Sequence, residues 1–499
     1  MSQLKKGAIL SYINILLTNV IGLILTPFII KSLGDSEYGL YALIGSFIAY
    51  FSLMDLGLNN TIIRFVAKYR AEKDSKGEAN FLAVILLIYS VISLVIVVIG
   101  IITYFNLDKI YGSALTAAEL YKAKIMFVIL IFNVGITLPG GSFVAISTGY
   151  EQFVFPRAAI LIKYLIRSIV LVVVLLYGGD AISIVILDTV INVLFITVNW
   201  LFVNKKLKVK FKLYDLNKEL LAEVFSYSIW IFMIAIIAQF QWQSGQLVLG
   251  ALKDTTTVAI YAVGVMLGTY YGAFASAFSS LLLPKATKML YSNASKDEID
   301  NMFIKIGRIT LIILFFILGG FILYGKQFVT LWLGENYILS WKIALFIMLV
   351  ITIPLTQSFA NSILEALNKI KFKAILSLSA ITMGMILGVF LVEQHGSLGM
   401  IFGILFGRFL SELLLNIYYI KILQLDILQF LKKVFIRISI VFSVILVLGL
   451  LIDEIPGEGW LNFISKIFIY GIIFSLISYN FIINKEEKLI IKKNIKIKQ

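Results

Sequence analysis

Long apolar segments recur along the whole chain and are separated by short polar stretches. A bilayer core about 30 Å thick is crossed by roughly 20 apolar residues in a helix. Solid apolar runs are not typical of a β-barrel, whose strands alternate in polarity over about ten residues. The pattern predicts an all-α integral membrane protein with fourteen transmembrane helices, at residues 7–30, 40–64, 80–105, 122–148, 156–177, 181–203, 224–250, 257–282, 303–324, 340–364, 372–392, 398–420, 431–452 and 460–483.

The composition excludes several classes of chemistry. Of the 499 residues 60% are hydrophobic and 14% are charged, whereas soluble proteins are about a quarter charged, so we expect the whole chain to lie in a bilayer. Cysteine is absent, which excludes thiol catalysis and cysteine-bound metals. The single histidine, His395, argues against a histidine-based metal site. We therefore expect no metal and no cofactor.

The net charge is +15, and the distribution of the basic residues between inner and outer loops indicates the topology. With both termini placed in the cytoplasm, 29 basic residues fall in inner loops and the tail, 7 in outer loops and 7 within spans. Such a bias follows the positive-inside rule and predicts an N-in, C-in protein with an even number of spans. It also removes nucleic acid as a partner. The Lys-rich tail is expected to face anionic lipid.

Two segments of the chain are alike, which suggests an internal repeat. Ser11-Tyr12-Ile13 opens the first span and Ser226-Tyr227-Ser228 opens the seventh, and a Leu-Gly pair and then a tyrosine follow each. A parallel repeat of six plus six spans encloses a central cavity. The predicted organisation is an N-terminal six-helix bundle (1–203), a basic cytoplasmic linker (204–223), a C-terminal six-helix bundle (224–422), two additional spans (423–483) and a cytoplasmic tail (484–499).

Three basic residues within spans are candidates for binding an anion. Lys163 and Arg167 are four residues apart and share one face of the fifth span, and Arg408 lies near the middle of the twelfth. A guanidinium can hold a phosphate through two hydrogen bonds. The alternatives are that Lys163 reaches the inner surface with its long side chain and that Arg408 only pairs with Glu412, four residues on, to lock helix packing.

Three acidic residues within spans are candidates for ion coupling or gating. Asp55 lies in the inner third of the second span and Asp188 near the outer end of the sixth. Either could take H⁺ or Na⁺, and each could equally accept a structural hydrogen bond between helices. Glu412 could release Arg408 when a substrate phosphate competes for it.

The seventh span carries four glutamines within eight residues, at 239–246. Unpaired amides are costly in lipid, and Gln239, Gln243 and Gln246 are spaced to share one helical face. Amides beside the ring of Trp242 suit sugar hydroxyls and the apolar faces of sugar rings. Hydrogen bonding between helices is the alternative.

Catalytic signatures are missing from the sequence. It contains no P-loop, GxSxG or HExxH motif, so neither ATP-driven transport nor hydrolysis has support. The cytoplasmic loops are too short for a glycosyltransferase domain. The residues therefore predict a polar-lined cavity in a protein that is not an enzyme.

Five short motifs follow one another in a fairly specific order: LGDSEYGLY at 33–41, DLGLNN at 55–60, STGYEQF at 147–153, LPK at 283–285 and WLGENY at 332–337. Over essentially the whole chain they resemble the polysaccharide flippase family, often called Wzx. That family belongs to the multidrug/oligosaccharidyl-lipid/polysaccharide exporter superfamily. The resemblance implies two helix bundles around a cationic cavity that work by alternating access.

The resemblance also implies a substrate and a location. The substrate would be an oligosaccharide repeat unit on undecaprenyl pyrophosphate, moved from the inner to the outer leaflet of a bacterial plasma membrane for O-antigen, capsule or a related glycan. Polymerase and chain-length proteins of the pathway would be partners. The assignment of Lys163, Arg167 and Arg408 to the pyrophosphate rests on their positions within the spans, because families of this kind do not keep cavity cations at fixed positions. A multidrug exporter for organic cations, a peptidoglycan lipid-precursor flippase, and a polymerase or ligase are the alternatives.

Overall fold

The computed structural model describes residues 3–216, 218–279, 282–292, 294–367, 369–484 and 488. Their regular structure is helical throughout, with no strand. The α-helices are α1 (Gln3–Leu33), α2 (Asp35–Ser52), α3 (Leu58–Glu72), α4 (Ser75–Tyr111), α5 (Ala117–Gly149), α6 (Val154–Leu176), α7 (Ala181–Leu201), α8 (Lys218–Trp242), α9 (Ser244–Leu252), α10 (Thr255–Ser279), α11 (Leu282–Tyr291), α12 (Lys296–Leu333), α13 (Ile338–Thr356), α14 (Ser358–Ala366), α15 (Ile370–Ile422), α16 (Ile427–Phe430), α17 (Arg437–Asp453) and α18 (Gly459–Ile477).

The all-α integral membrane fold is confirmed. Within the described residues, twelve helical segments are long and apolar enough to cross a bilayer. One of them, α15, leaves the helical conformation at Gly396 (φ 53°, ψ −134°), between the predicted spans 372–392 and 398–420. The count of fourteen spans and their N-in orientation stay predictions.

At the starts of three of the described helices, capping boxes satisfy free backbone N–H groups of the first turn. Thr116 with Glu119, Asp180 with Ser183, and Ser295 with Glu298 form capping boxes at the starts of α5, α7 and α12. Gly34 (φ 82°) separates α1 from α2. Since this left-handed conformation disfavours side chains with a Cβ, the glycine explains why the motif at 33–41 begins as it does.

Three predicted spans are interrupted, which corrects the expectation of continuous helices. The span 40–64 becomes α2 and α3, joined through a short turn and through Leu56 and Gly57, both with positive φ. The span 224–250 becomes α8 and α9, which part at Gln243. The span 340–364 becomes α13 and α14, which part at Gln357 just after Pro354. Each break lies within a long apolar segment, so hydropathy averaged over a window does not show it.

The described helices belong to two compact units. Unit 1 comprises Met1–Ala262 and Ser377–Ile404, and unit 2 comprises Val263–Leu376 and Leu405–Gln499. In unit 1, α5 packs against both α4 and α7. In unit 2, α12 packs against α13, α17 and α18. The bundle boundaries predicted at 203 and 422 stay predictions.

The basic linker contacts α4 where the structure describes it. After a wide helical turn at Phe202–Lys206 the chain has no regular secondary structure up to residue 216. The Lys212 N–H donates to the Ala79 carbonyl, and the Asn80 side chain accepts from the Tyr214 N–H at 2.7 Å. The linker thus lies against the start of α4. Apart from Asn484 and Lys488, the tail 484–499 lies outside the described residues.

Candidate functional site

Four polar residues of α6 and α7 meet inside unit 1. Lys163 and Arg167 are one turn apart on α6, and Asp188 and Asn192 are one turn apart on α7. The Arg167 Nε donates to Asp188 Oδ1 at 2.6 Å and its Nη2 donates to Asp188 Oδ2 at 3.0 Å. The structure therefore joins two residues that the sequence analysis assigned to different roles.

Tyr41 of α2 forms hydrogen bonds with both members of this ion pair. Its hydroxyl donates to Asp188 Oδ2 at 3.1 Å and accepts from Arg167 Nη2 at 3.1 Å. Tyr41 is the last residue of the motif at 33–41, and no spacing rule pointed to its contact with α6 and α7. The charge of Arg167 is therefore balanced by Asp188 within unit 1.

Lys163 has a different environment from Arg167. Its ammonium donates to Asn192 Oδ1 at 2.8 Å and lies 4.6 Å from the centre of the Phe195 ring. The Asn192 amide in turn donates to Asn133 Oδ1 and Thr137 Oγ1 of α5, each at 2.7 Å. Among the described residues no carboxylate forms an ion pair with Lys163. With Lys163 protonated, two cations and one carboxylate give this cluster one positive charge.

Unit 2 contains the second predicted pair. Arg408 Nη2 lies 2.8 Å from Glu412 Oε1 and the Glu412 side chain is buried. Asn416 donates to the Glu412 carbonyl at 2.9 Å and accepts from Gln357 at 2.8 Å. The contact with Glu412 agrees with the packing alternative, and the buried Nε of Arg408 has no hydrogen-bond partner among the described residues.

Lys373 lies at the cytoplasmic end of the predicted span 372–392, and the sequence pattern does not select it as a site residue. The structure places it in the first turn of α15, where its ammonium donates to Asn361 Oδ1 at 2.6 Å. Tyr419 donates to the same oxygen at 2.9 Å. Its position at the start of an apolar run was the available signal, since a lysine there can turn into the protein instead of towards water.

Asp55 lies at the break between α2 and α3. Its Oδ1 accepts from the Tyr89 hydroxyl of α4 at 2.6 Å and from Asn59 at 2.8 Å. These hydrogen bonds match the structural alternative, because they connect the break to a neighbouring helix. Roles of Asp55, Asp188 and Glu412 in ion coupling stay predictions.

The break at Gln243 separates the predicted glutamine face into two parts. Gln239 lies on α8 and Gln246 on α9, so their spacing is no longer that of one continuous helix. Gln246 is buried, and Gln239, Trp242 and Gln243 are half-buried. Tyr50 of α2 packs edge-on against Phe240, with ring centres 6.0 Å apart. A sugar-binding role for these residues stays a prediction.

The motif at 33–41 is explained by contacts at the start of α2. Ser36 donates to Glu119 Oε1 at 2.5 Å, and Thr255 of α10 donates to the same oxygen at 2.6 Å. Glu37 pairs with Lys122. A Cβ on Gly39 would overlap the Thr255 carbonyl, so this position requires glycine. Through these contacts the motif packs the start of α2 against α5 and α10.

Known proteins provide a comparison for this arrangement. The sequence model of the family described as "Polysaccharide biosynthesis protein" matches residues 4–290. Over 333 residues the chain is 26% identical to the "Uncharacterized membrane protein EpsK" of Bacillus subtilis (strain 168), which covers 63% of this chain and 62% of that protein. The chain thus matches under two thirds of that relative's length.

Solved structures share the fold. "Lipid II flippase MurJ, inward closed conformation" has a TM-score of 0.74 and 17% identity, covering 95% of this chain and 98% of that one. An inward-facing multidrug resistance MATE family transporter of the MOP superfamily has a TM-score of 0.62 and 14% identity, covering 84% and 97%. At such identities the likeness concerns the fold. These matches confirm the resemblance indicated by the motifs, and the fold is that of transporters.

Proposed function

Because the chain belongs to the polysaccharide biosynthesis protein family, whose model matches more than half of it, we propose that it is a flippase for a lipid-linked glycan. The proposed substrate is an oligosaccharide repeat unit on undecaprenyl pyrophosphate, used for O-antigen, capsule or another surface polysaccharide. It moves from the inner to the outer leaflet of a bacterial plasma membrane by alternating access. Polymerase and chain-length proteins of the same pathway are proposed partners.

One observation supports an anionic substrate. The cluster of Lys163, Arg167 and Asp188 carries a net positive charge within helices that are apolar enough to span a membrane. Charged groups at such depth are costly and generally serve a transported ion or substrate. An anionic pyrophosphate would balance the excess charge, with Lys163, Arg167 and Arg408 as its ligands.

The remaining candidates fit the parts of a flippase cycle. Gln239, Trp242, Gln243 and Gln246 would contact sugars, while the lipid chain stays in the bilayer through a gap between helices. Asp55, Asp188 or Glu412 would couple the cycle to H⁺ or Na⁺. Arg408 would exchange Glu412 for the substrate phosphate, since the carboxylate and the phosphate are anions that compete for one guanidinium.

Reconstitution tests this function directly. Purified protein in proteoliposomes should move a fluorescent undecaprenyl-pyrophosphate-linked oligosaccharide into the opposite leaflet, measured by its accessibility to a membrane-impermeant lectin or quencher. Protein-free vesicles measure spontaneous movement. Equal rates in the two preparations would contradict the proposal. Replacing H⁺ or Na⁺ gradients one at a time identifies any coupling ion.

Two alternatives from the same fold are distinguished by substrate. An organic-cation exporter is disfavoured because a net positive cluster repels cationic drugs, and cells carrying the protein should gain no protection against cationic dyes. A peptidoglycan lipid-precursor flippase is the second candidate, supported by the fold shared with the lipid II flippase. Transport of lipid II in the same vesicles, at a rate above that of the repeat unit, would favour it.

A further inference from the structure

The linker after α7 alternates in burial along the chain. Its apolar residues at 207, 209 and 211 are buried or half-buried, whereas Lys208, Lys210 and Lys212 are exposed. Lys205 and Lys206, just before them, are exposed too. This basic strap (residues 207–216) therefore packs its apolar side chains against unit 1 and presents its lysines outward.

Asn80 of α4 holds the far end of the basic strap. Its Oδ1 accepts from the Tyr214 N–H at 2.7 Å and from the Asp215 N–H at 2.9 Å, and its amide donates to the Asp215 carbonyl at 2.9 Å. The Lys212 N–H donates to the Ala79 carbonyl at 3.2 Å. These four hydrogen bonds keep the strap at one level along α4, and its lysines with it.

That level is where two membrane-spanning segments terminate. One segment ends at Lys206, immediately before the strap, and the other begins at Ser75, a few residues before the strap's contact with Asn80. At about 1.5 Å per residue, Asn80 lies about 8 Å along α4 from Ser75. The head-group region on each side of a bilayer is about 5–8 Å thick. The strap is therefore level with the lipid head groups on this side of the membrane.

The exposed lysines lack a compensating charge. Residues 204–216 contain five lysines and one carboxylate, Asp215, and among the described residues none of the five lysines forms an ion pair. Lys76 of α4 extends the same surface, because its ammonium and that of Lys212 each lie 5.1 Å from the centre of the Tyr214 ring. Neighbouring like charges repel one another, so an anionic surface would stabilise this arrangement.

We propose that the basic strap binds the anionic head groups of phospholipids in the leaflet that it borders. Membrane lipid is favoured over an acidic protein segment because Leu213, Tyr214 and Leu216 are exposed beside the lysines. Apolar and aromatic side chains next to lysines are typical of a segment at the membrane–water interface. The phospholipid is a ligand of the protein's edge and not the transported substrate, so this inference does not depend on the proposed function.

Fluorescence quenching in lipid nanodiscs tests the site. The chain has no cysteine, so Leu216→Cys gives the full-length protein a single thiol for a dye next to the strap. The nanodiscs contain phosphatidylcholine and the same small fraction of either phosphatidylglycerol or phosphatidylcholine that carries a spin label near the head group. Phosphatidylglycerol should quench at least fivefold more effectively, since one lysine at an anionic surface already favours binding roughly fivefold. The difference should shrink as salt is added, because salt screens exposed charges.

Charge variants identify the residues responsible. Replacing Lys208, Lys210 and Lys212 together by glutamine should bring the two quenching efficiencies to within twofold of each other, whereas replacing them by arginine should keep the preference for phosphatidylglycerol. The matched control removes the same charge from exposed lysines elsewhere and should behave as the parent protein. It carries Lys109→Gln, Lys326→Gln and Lys342→Gln.

Asn80→Ala tests the attachment of the strap. It keeps every charge but removes the three side-chain hydrogen bonds, so the preference should fall at least twofold, because a freed strap must be ordered again on binding. An unchanged preference would overturn the view that the strap is a held surface. Thermal unfolding in detergent checks that each variant is folded.

Two further outcomes would overturn the proposal. One is a preference for phosphatidylglycerol that survives in the triple glutamine variant. The other is a dye that neither lipid quenches, which would place the strap in water and assign it to an acidic protein segment. Transport is not part of this readout, so a failure of the flippase function leaves the lipid test intact.

Discussion

Arg167 and Asp188 form a two-point ion pair between α6 and α7, with Nε 2.6 Å from Oδ1 and Nη2 3.0 Å from Oδ2. Both side chains are less than a third exposed. Removing one partner of such a pair leaves a charge without its counter-ion, whereas removing both does not. The pair therefore combines a structural role with its proposed part in substrate binding.

Stability measurements separate these roles. Arg167→Gln and Asp188→Asn should each lower the free energy of unfolding by about 3 kcal/mol, and the double variant should lose less than the sum of the two. Tyr41→Phe should cost about 1 kcal/mol, because it removes hydroxyl hydrogen bonds and leaves the charges paired. Thermal unfolding in detergent provides the comparison. Additive losses would show that the two residues do not interact.

The proposed anion-binding role predicts that transport depends on the charge of Arg167 and Arg408. Arg167→Ala and Arg408→Ala should each slow movement of the lipid-linked glycan about tenfold or more, since a hydrogen bond to a charged group contributes about 1.5–3 kcal/mol. Initial rates are normalised to the amount of folded, reconstituted protein. Lys109→Ala is the control because Lys109 is basic and exposed. Wild-type rates in both arginine variants would refute the anion-binding role.

Substitutions in the glutamine segment 239–246 should impair transport of the glycan-linked lipid more than binding of a lipid that carries no sugar. Gln243→Ala should slow transport of the glycan-linked lipid three- to tenfold, since a lost hydrogen bond contributes about 0.5–1.5 kcal/mol. Trp242→Ala should slow it to a similar extent, because it removes the ring that would contact the apolar face of a sugar. Cross-linking of an isoprenyl diphosphate that carries no sugar should stay unchanged. Gln152→Ala, in the loop before α6, serves as control. Equal losses for both ligands would point to a packing role.

Gly39 and Gly45 of α2 form a matched pair for testing helix packing. A Cβ at position 39 would overlap the Thr255 carbonyl, whereas a Cβ at position 45 would meet nothing within 4 Å. Gly39→Ala should destabilise the protein by about 1–3 kcal/mol. Gly45→Ala should be neutral or stabilise by up to about 1 kcal/mol, because alanine favours the helix. The apparent melting temperatures of the two variants test the contact, and equal values would contradict it.

Asp180 lies outside the membrane-spanning segments and is expected to make the stability of the fold depend on pH. Burial raises its pKa, but hydrogen bonds from the Ser183 backbone and hydroxyl, together with Lys122, outweigh burial and bring the pKa below its ordinary value. A carboxyl group of this kind stabilises the fold above its unfolded pKa of about 3.9, and that stabilisation is lost as the pH falls through the folded pKa.

The Asp180→Asn variant makes this loss measurable. It should melt below the wild type at neutral pH, where Asp180 is ionised and contacts Lys122 at 3.3 Å. The difference in melting temperature should narrow as the pH falls below about 4, because the protonated carboxyl then resembles the amide. A difference that stays constant down to the acid limit would contradict the assigned cause.

Hydropathy located the long helices because each needs a sustained apolar run to cross a bilayer. It could not locate the breaks at Leu56 and Gln243, since these depend on backbone angles and neighbours in space. Helical spacing placed Lys163 and Arg167 on one face, yet Asp188, 21 positions away, binds only one of them. Contacts between helices follow from packing, which periodicity along one helix does not encode.

The hydrogen bond from Tyr89 to Asp55 links two helices that are synthesised at different times. Thirty-four positions separate the residues, so Asp55 is synthesised before Tyr89, which donates to it from α4. An aspartate at the centre of a transmembrane helix costs about 2.5–3.5 kcal/mol on the insertion scale. The hydrogen bond from Tyr89 offsets part of such a cost only once α4 lies beside the break, so we expect stable insertion of the second predicted span to depend on the helix that follows it.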